Sequence, residues 1–174
     1  MIQKIYMKIT KNELIHLVNG KILYHGTNIP DLKKLVPPNN NYVKGMYLTS
    51  SKRVALSFGS IVYSIRVSNI KNPYIIDAKD EGYNSIKTPR EFKKSGFTYL
   101  DEVDTGIVAD FAFENKYDCA IILNVYEGFS SGGIGLSYEK GNNFILFNEN
   151  QMEIVSKQKY KYSPYTGKII KVPL

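Results

Sequence analysis

The chain has 174 residues, of which 43% are hydrophobic and 22% charged, and its formal net charge is +7. This length and composition favour a single globular domain, residues 1–174, with a core large enough to fold without disulfides or metal. No segment is apolar for long enough to cross a bilayer, and the N-terminus carries charges every few residues. We therefore expect a cytoplasmic protein of the producing or host cell, with no signal peptide.

The scarcity of cysteine and histidine limits the chemistry available to the chain. Cys119 lies within the apolar run CAIILNV, which indicates a small core residue and favours a reducing compartment. Two histidines and one cysteine are too few for a closed zinc site, and no carboxylate run has the spacing of a calcium loop. The sequence predicts no metal.

The first half of the chain alternates short strands with short helices. Thr10 and Glu13 form a capping box that begins a helix, and the helix ends near Gly20. A second helix, capped by Ser50 or Ser51, is predicted in SSKRVALSFG. The predicted strands are MIQKIYMKI, ILYHGT, GMYLT, SIVYSIRVS and NPYIID.

The second half continues this pattern. Thr88 is predicted to cap a helix that begins at Pro89, and VDTGIVADFAFENKY has helical periodicity. CAIILNV reads as a buried central strand, and the glycine-rich stretch YEGFSSGGIGLSYEKGNN as a long loop before the short strands FILF and QMEIV. Because strands and helices do not alternate regularly, the sequence predicts an α+β fold.

The C-terminal segment, residues 156–174, is strongly basic. Within SKQKYKYSPYTGKIIKV, five lysines are interleaved with three tyrosines and no acidic residue. Such a mixture suits a phosphate backbone with stackable bases, but it equally suits a solvated extension that keeps the protein soluble.

Three separated segments carry the motifs of this chain: KILYHGTNIP, GMYLTSSKRVALSFG and NNFILFNENQ. Together they resemble the ADP-ribosyltransferase fold of the diphtheria-toxin and poly(ADP-ribose)-polymerase branch. In that branch one strand ends in His-Gly-Thr or His-Gly-Ser, a second reads Gly-x-Tyr-x-Thr before a short helix, and a third begins Glu-aromatic-Ile. The resemblance covers residues 21–155, and the matching positions are His25, Gly26, Thr27, Gly45, Tyr47, Thr49, Lys52, Ala55, Phe58 and, in place of the glutamate, Asn143.

This resemblance implies two packed, mainly antiparallel β-sheets that form an NAD cleft with short flanking helices. It implies that His25 bonds the adenine-side ribose, with Thr27 on the same sugar. The Gly26 backbone would pair with the nicotinamide carboxamide. Tyr47 and Phe58 would sandwich the nicotinamide ring, where an aromatic face attracts a cation.

Asn143 is the departure from the family pattern. An amide is neutral and cannot act as the base that a glutamate supplies, so we expect transfer of single ADP-ribose units. Glu139, in the preceding loop, is a candidate for the missing carboxylate.

The sequence thus favours an NAD-dependent mono-ADP-ribosyltransferase, a small bacterial or phage-borne effector that modifies a host macromolecule. A protein acceptor is favoured, because the terminal lysines are few and accompany no nucleic-acid motif, although a nucleic acid is possible. Three alternatives remain: a silent member that binds NAD or a partner without cleavage, an NAD glycohydrolase, and an RNA 2′-phosphotransferase. The last is disfavoured because no histidine follows His25.

Overall fold

The computed structural model describes residues 9–79, 84–127, 139–163, 165–166 and 168–174. Its helices are α1 (Lys11–Val18), α2 (Lys52–Leu56), α3 (Arg90–Lys94) and α4 (Thr105–Glu114), with a 3-10 turn at Glu149–Gln151. The strands are β1 (Ile22–Thr27), β2 (Met46–Thr49), β3 (Ile61–Val67), β4 (Pro73–Asp77), β5 (Ile86–Lys87), β6 (Glu102–Val103), β7 (Cys119–Glu127), β8 (Glu139–Leu146), β9 (Met152–Ser163) and β10 (Lys168–Val172).

Most strands belong to one large mixed sheet. Its order is β10-β9-β3-β1-β2-β8-β7-β4, and β5 pairs with β6 in a separate two-stranded sheet. Only the pairing of β4 with β7 is parallel; the other ladders of the large sheet are antiparallel. The predicted α+β class is confirmed.

The large sheet is nearly divided between β1 and β2. These strands share one residue pair, Tyr24 with Thr49, whereas β1 pairs with β3 over six positions and β2 with β8 over four. The expectation of two separate packed sheets therefore differs from the structure, in which a single pair joins the halves β10-β9-β3-β1 and β2-β8-β7-β4. Beyond this pair the strands separate: His25 and Leu48, the next residues along each strand, are not paired.

One apolar cluster spans both halves of the sheet. Leu23 and Ile65 come from the first half, Ile121 and Phe144 come from the second half, and all four side chains are buried. Helix α1 packs against the same cluster through Val18. The continuous core holds the two halves in place although few backbone bonds join them.

A second cluster packs helices α3 and α4 against β7 and β8. Phe92 of α3 and Phe111 of α4 stack with ring centroids 3.9 Å apart, over the buried side chains of Ile122 and Ile145. This packing holds α4 in place beside the point where β1 and β2 separate.

Several sequence expectations can be compared with these elements. The capping box of Thr10 and Glu13 is present at α1, and Ser51, one of the two predicted caps, caps α2. The predicted Thr88 cap is wrong: Pro89 has an extended ψ of 144° and takes the cap position, so α3 begins one residue later than expected. The predicted N-terminal strand falls mainly on residues 1–8, which lie outside the described residues.

The strands near the C-terminus are longer than predicted. Residues 139–142, expected in the long loop, belong to β8, while residues 128–138 lie outside the described part. The basic segment expected as an extension instead continues β9, and β10 pairs back onto it. Two alternating runs around a short segment containing proline and glycine are the signal of a hairpin, which the high lysine content obscures.

Cys119 is fully buried, as expected for a core residue. Burial raises the pKa of its thiol well above the ordinary range. Within the described ranges, no helix is long and apolar enough to cross a membrane, and no group of three or more His, Cys, Asp or Glu side chains is arranged to hold a metal ion.

Helix α2 approaches β1 so closely that a side chain is excluded at two positions. A Cβ atom placed on Gly26 would lie 1.7 Å from the carbonyl oxygen of Ala55, and one on Gly59 would lie 2.2 Å from the carbonyl carbon of Thr27. Both obstacles are backbone atoms, which cannot turn away as a side chain can. Glycine at these positions is therefore a packing requirement.

We expect Gly26→Ala to lower the free energy of unfolding by about 3 kcal/mol, the upper end of the usual cost of overpacking. Gly141→Ala is the matched control, because its added methyl group would meet the Thr49 hydroxyl at an ordinary 3.6 Å. The control should change stability by less than about 1 kcal/mol. Urea unfolding followed by circular dichroism measures both, and equal stabilities would contradict the packing argument.

Candidate functional site

A cavity of about 410 Å³ opens where β1 and β2 separate. Its volume is within the range of small-molecule sites, and its lining is mostly apolar. Side chains from both halves of the sheet, from α2 and from the start of α4 line it. Five of the residues that were predicted to contact the ligand or to act in catalysis lie in this lining: His25, Gly26, Tyr47, Phe58 and Asn143.

His25 bridges the gap between the two strands. Its Nδ1 lies 3.0 Å from the carbonyl oxygen of Tyr47. Since a carbonyl only accepts, Nδ1 donates, and in the neutral ring Nε2 is then an acceptor. Burial lowers the pKa of His25 below its ordinary value, and the hydrogen bond to Tyr47 raises it by a smaller amount. The ring is therefore neutral at neutral pH.

Two aromatic residues line the cavity from different elements. Tyr47, on β2, is half-buried and packs against the cluster formed by α3, α4, β7 and β8. Phe58 follows α2 and is 46% exposed. The exposed area of Phe58 is thus available for contact with a flat ligand, while Tyr47 is held by the core.

Asn143 is almost completely buried, with 2% of its surface exposed. In the sheet it lies between Thr49 of β2 and Ile122 of β7. The neighbouring residue is fixed by hydrogen bonds: Ser50 N donates to Asn142 O at 3.0 Å, and Asn142 N donates to Ser50 Oγ at 3.1 Å. The backbone that carries Asn143 is therefore held in place.

Two predicted site residues are placed differently. Thr27 is absent from the cavity lining, and its hydroxyl accepts from Ile29 N at 3.2 Å, which stabilises the turn after β1. Glu139 contributes its backbone to β8 opposite Glu127, but its side chain lies outside the described part of the structure.

Other lining residues were not singled out from the sequence as ligand contacts. They are Tyr24, Val43, Leu48, Thr49, Ala55 and Thr105. Thr49 and Ala55 belong to the motif, and Tyr24 precedes His25. Their position next to predicted site residues is a signal in the sequence that they too line the cavity. Val43 and Thr105 come from a loop and from the start of α4, and no sequence motif indicates them.

The cavity has no carboxylate among its described lining residues. Lys52 lies beside one lining residue, with its Nζ 5.1 Å from the centre of the Tyr24 ring. No protein-family model, curated protein or solved structure matches this chain.

The buried state of His25 predicts a pH-dependent stability. Because the folded-state pKa lies below the ordinary 6.5, the unfolded chain takes up a proton that the folded chain does not as pH falls through that value. The contribution of His25 is therefore present above pH 6.5 and is lost as pH falls toward the folded-state pKa.

His25→Asn retains an N–H that can donate to Tyr47 O, and it removes the titrating group. We expect the urea midpoint of this variant to decline less than that of wild type between about pH 7 and pH 5. His16→Asn, at an exposed position on α1, is the control and should keep most of the wild-type decline. Parallel curves for wild type and His25→Asn would contradict this prediction.

Proposed function

We propose that this chain is an NAD-dependent mono-ADP-ribosyltransferase, a member of the ADP-ribosyltransferase superfamily that its motifs resemble. One observation carries the proposal. One cavity, between two strands that stop pairing, is lined by residues from three separate segments of the sequence: His25 and Gly26, Tyr47 and Phe58, and Asn143. Their convergence gives the resemblance a geometric basis that sequence order alone does not supply.

The proposed reaction makes a specific demand on the site. The bond between the ribose carbon and the cationic nicotinamide breaks, its electron pair leaves with the now neutral nicotinamide, and positive charge develops on the sugar. An acceptor oxygen or nitrogen then bonds to that carbon and gives up its proton. The protein must hold the dinucleotide and stabilise the developing charge.

His25 is suited to holding a ribose. The bond from Nδ1 to Tyr47 O fixes the ring orientation, so that the neutral ring offers Nε2 as an acceptor for a sugar hydroxyl. The lowered pKa of His25 maintains this form at neutral pH. A protonated ring would offer only donors and would repel the nicotinamide cation.

Tyr47 and Phe58 are suited to holding the nicotinamide. Aromatic faces attract a flat cation by about 1 kcal/mol or more once water is excluded, and the lining of the cavity is mostly apolar. Gly26 also lines the cavity, while α2 occupies the side of the strand to which a side chain at this position would point. These features support the roles that the family resemblance assigns to the three residues.

Asn143 supports transfer of one unit and argues against chain elongation. Its amide can orient a ribose hydroxyl, but it has no pKa suitable for a general base. Elongation requires a base to activate the hydroxyl of the growing chain, whereas expulsion of nicotinamide does not.

A second candidate function is NAD binding without cleavage. The absence of a carboxylate among the described lining residues favours it, because negative charge beside the sugar is the usual support for the cationic transition state. Release of free nicotinamide from NAD distinguishes the two functions.

To test the proposal, the protein is incubated with labelled NAD and a cell lysate, followed by separate protease, DNase and RNase treatments. Label on a macromolecule supports transferase activity, and the enzyme that removes the label identifies the acceptor class. Nicotinamide release with no labelled macromolecule would indicate a glycohydrolase, and neither product would indicate the silent binder.

We expect Tyr47→Ala to weaken NAD binding by about 1 to 2 kcal/mol, because one aromatic face over the nicotinamide is lost. Tyr99→Ala is the matched control, since Tyr99 is 83% exposed and outside the cavity lining. Isothermal calorimetry measures both affinities. If the two variants bind NAD equally well, Tyr47 does not contact the ring.

We expect Asn143→Ala to slow nicotinamide release by about 2.7 to 4 kcal/mol of activation free energy, the usual value of a positioned polar partner at a developing charge. Asn143→Glu should accelerate release, because it places a carboxylate beside the sugar. Urea unfolding of both variants separates this effect from destabilisation at the buried position.

The reaction product of the wild-type protein should carry single ADP-ribose units, as measured by gel mobility and mass spectrometry. Long polymers would refute the role given to Asn143. An Asn143→Ala variant as fast as wild type would place the third catalytic group elsewhere.

A further inference from the structure

The end of the β9–β10 hairpin projects beyond the rest of the sheet. Pairing of β9 with β3 ends where Lys159 meets Ile61, and from Tyr160 to Ser163 β9 pairs, among the described strands, with β10 alone. We call the paired segments 159–163 of β9 and Lys168–Val172 of β10 the ribbon. Its two faces are solvent-accessible, unlike those of the central strands.

The two faces of the ribbon differ in chemistry. Residues directly opposite one another in an antiparallel pair share a face. Lys161 is opposite Ile170, and Ser163 is opposite Lys168; with Lys159 these form the lysine face. Tyr160 is opposite Lys171, and Tyr162 is opposite Ile169, so the other face is mainly aromatic and apolar.

The positive charge of the ribbon is not neutralised locally. No acidic residue follows Glu153 in the sequence. In the described residues, the single acidic contact of this region is Asp31, which bonds Lys157 at 2.9 Å near the base of the ribbon. The lysine face, formed by Lys159, Lys161 and Lys168, is exposed and makes no ion pair within the described ranges.

The base of the ribbon adjoins the candidate site. Tyr160 packs against the small cluster that contains Ala55 and Leu56, and its backbone N donates to Ser60 O at 2.8 Å. Ala55 and Phe58 also line the cavity. The base of the ribbon and the cavity are therefore joined through α2 and the residues that follow it.

We propose that the ribbon is a binding surface for single-stranded nucleic acid, with phosphates on the lysine face and unpaired bases stacked on Tyr162. Rows of lysines on a rigid strand are complementary to a phosphate backbone, and exposed tyrosines are typical stacking platforms for bases. Tyr162 is 53% exposed, which leaves its ring open to stacking.

The geometry favours a single strand over a duplex. Paired strand axes lie about 5 Å apart, so the ribbon is thin. A flexible single strand can pass around its edge and contact both faces, whereas a duplex, which is stiff over about 150 base pairs, contacts one face only. This inference concerns binding and does not rest on the NAD reaction.

A protein partner or a membrane fits the ribbon less well. Protein interfaces are centred on a packed apolar or arginine anchor, whereas here the charged groups are exposed lysines. An interfacial membrane element presents one broad apolar face opposite its charges. In the ribbon the aliphatic residues are divided between the faces, with Ile170 and Val172 on the lysine face and Ile169 on the other, and Lys171 lies on the tyrosine face.

The test measures binding of a short labelled strand of mixed sequence by fluorescence anisotropy, with single-stranded DNA, single-stranded RNA and duplex DNA as separate arms, over a series of salt concentrations. The ribbon variant carries Lys159→Gln, Lys161→Gln and Lys168→Gln. The control variant carries the same charge change at exposed lysines near the β4 end of the sheet: Lys71→Gln, Lys87→Gln and Lys94→Gln.

We expect wild type to bind single strands with an affinity that falls as salt rises. Loss of three phosphate contacts should reduce the slope of log affinity against log salt by about 2 and weaken binding about tenfold or more, because each contact contributes about 0.7 to that slope. The control variant should lose much less. Tyr162→Ala should weaken single-strand binding about fivefold or more and leave duplex binding unchanged.

The proposal is overturned if the ribbon and control variants lose affinity equally, or if wild type does not bind either single strand. Binding to anionic lipid vesicles that depends on the ribbon, without binding to the oligonucleotides, would instead assign the surface to a membrane. Thermal unfolding of each variant verifies that the exposed substitutions leave the fold intact. Because no NAD is present, a negative result here leaves the NAD reaction unaffected.

Discussion

The separation of β1 from β2 after one residue pair is the constraint on which the site depends. Had the ladder continued, His25 would face Leu48 and Gly26 would face Tyr47, and no cavity would exist between the strands. The hydrogen bond from His25 Nδ1 to Tyr47 O bridges the gap where a backbone bond is missing. This bond limits how far the strands separate and also fixes the orientation of the His25 ring. It forms because a carbonyl oxygen shielded from water requires a donor.

A separated pair of strands is stable here because side-chain packing takes over from backbone pairing. The apolar cluster that includes Leu23 and Phe144 crosses the join, and α2 is seated against β1 where Gly26 and Gly59 have no side chains. The same close contact brings Ala55 and Phe58 to the cavity. The packing of α2 is by itself sufficient to require glycine at position 26.

Charge and polarity are distributed unevenly over the molecule. The cavity is mostly apolar and, among the described lining residues, has no charged side chain at neutral pH, whereas the β9–β10 ribbon carries exposed lysines. An apolar cavity strengthens the few electrostatic contacts made inside it, while an exposed basic surface acts on polyanions through long-range, salt-dependent attraction. The two regions thus differ in the chemistry of the ligands that they suit, a small molecule at the cavity and a polyanion at the ribbon.

The sequence by itself determined the α+β class, the caps of α1 and α2, and a set of ten motif positions of which seven line one cavity, because these depend on local spacing and on residue chemistry. It did not determine the cavity contacts of Val43 and Thr105, the turn-stabilising role of Thr27 or the single join between the sheet halves. It also did not determine that the basic C-terminal segment continues β9 and pairs back onto it as β10. Only the tertiary structure decided these points, because each depends on which distant segments meet: register and packing are set by the summed contacts of the whole core, and no local pattern encodes that sum.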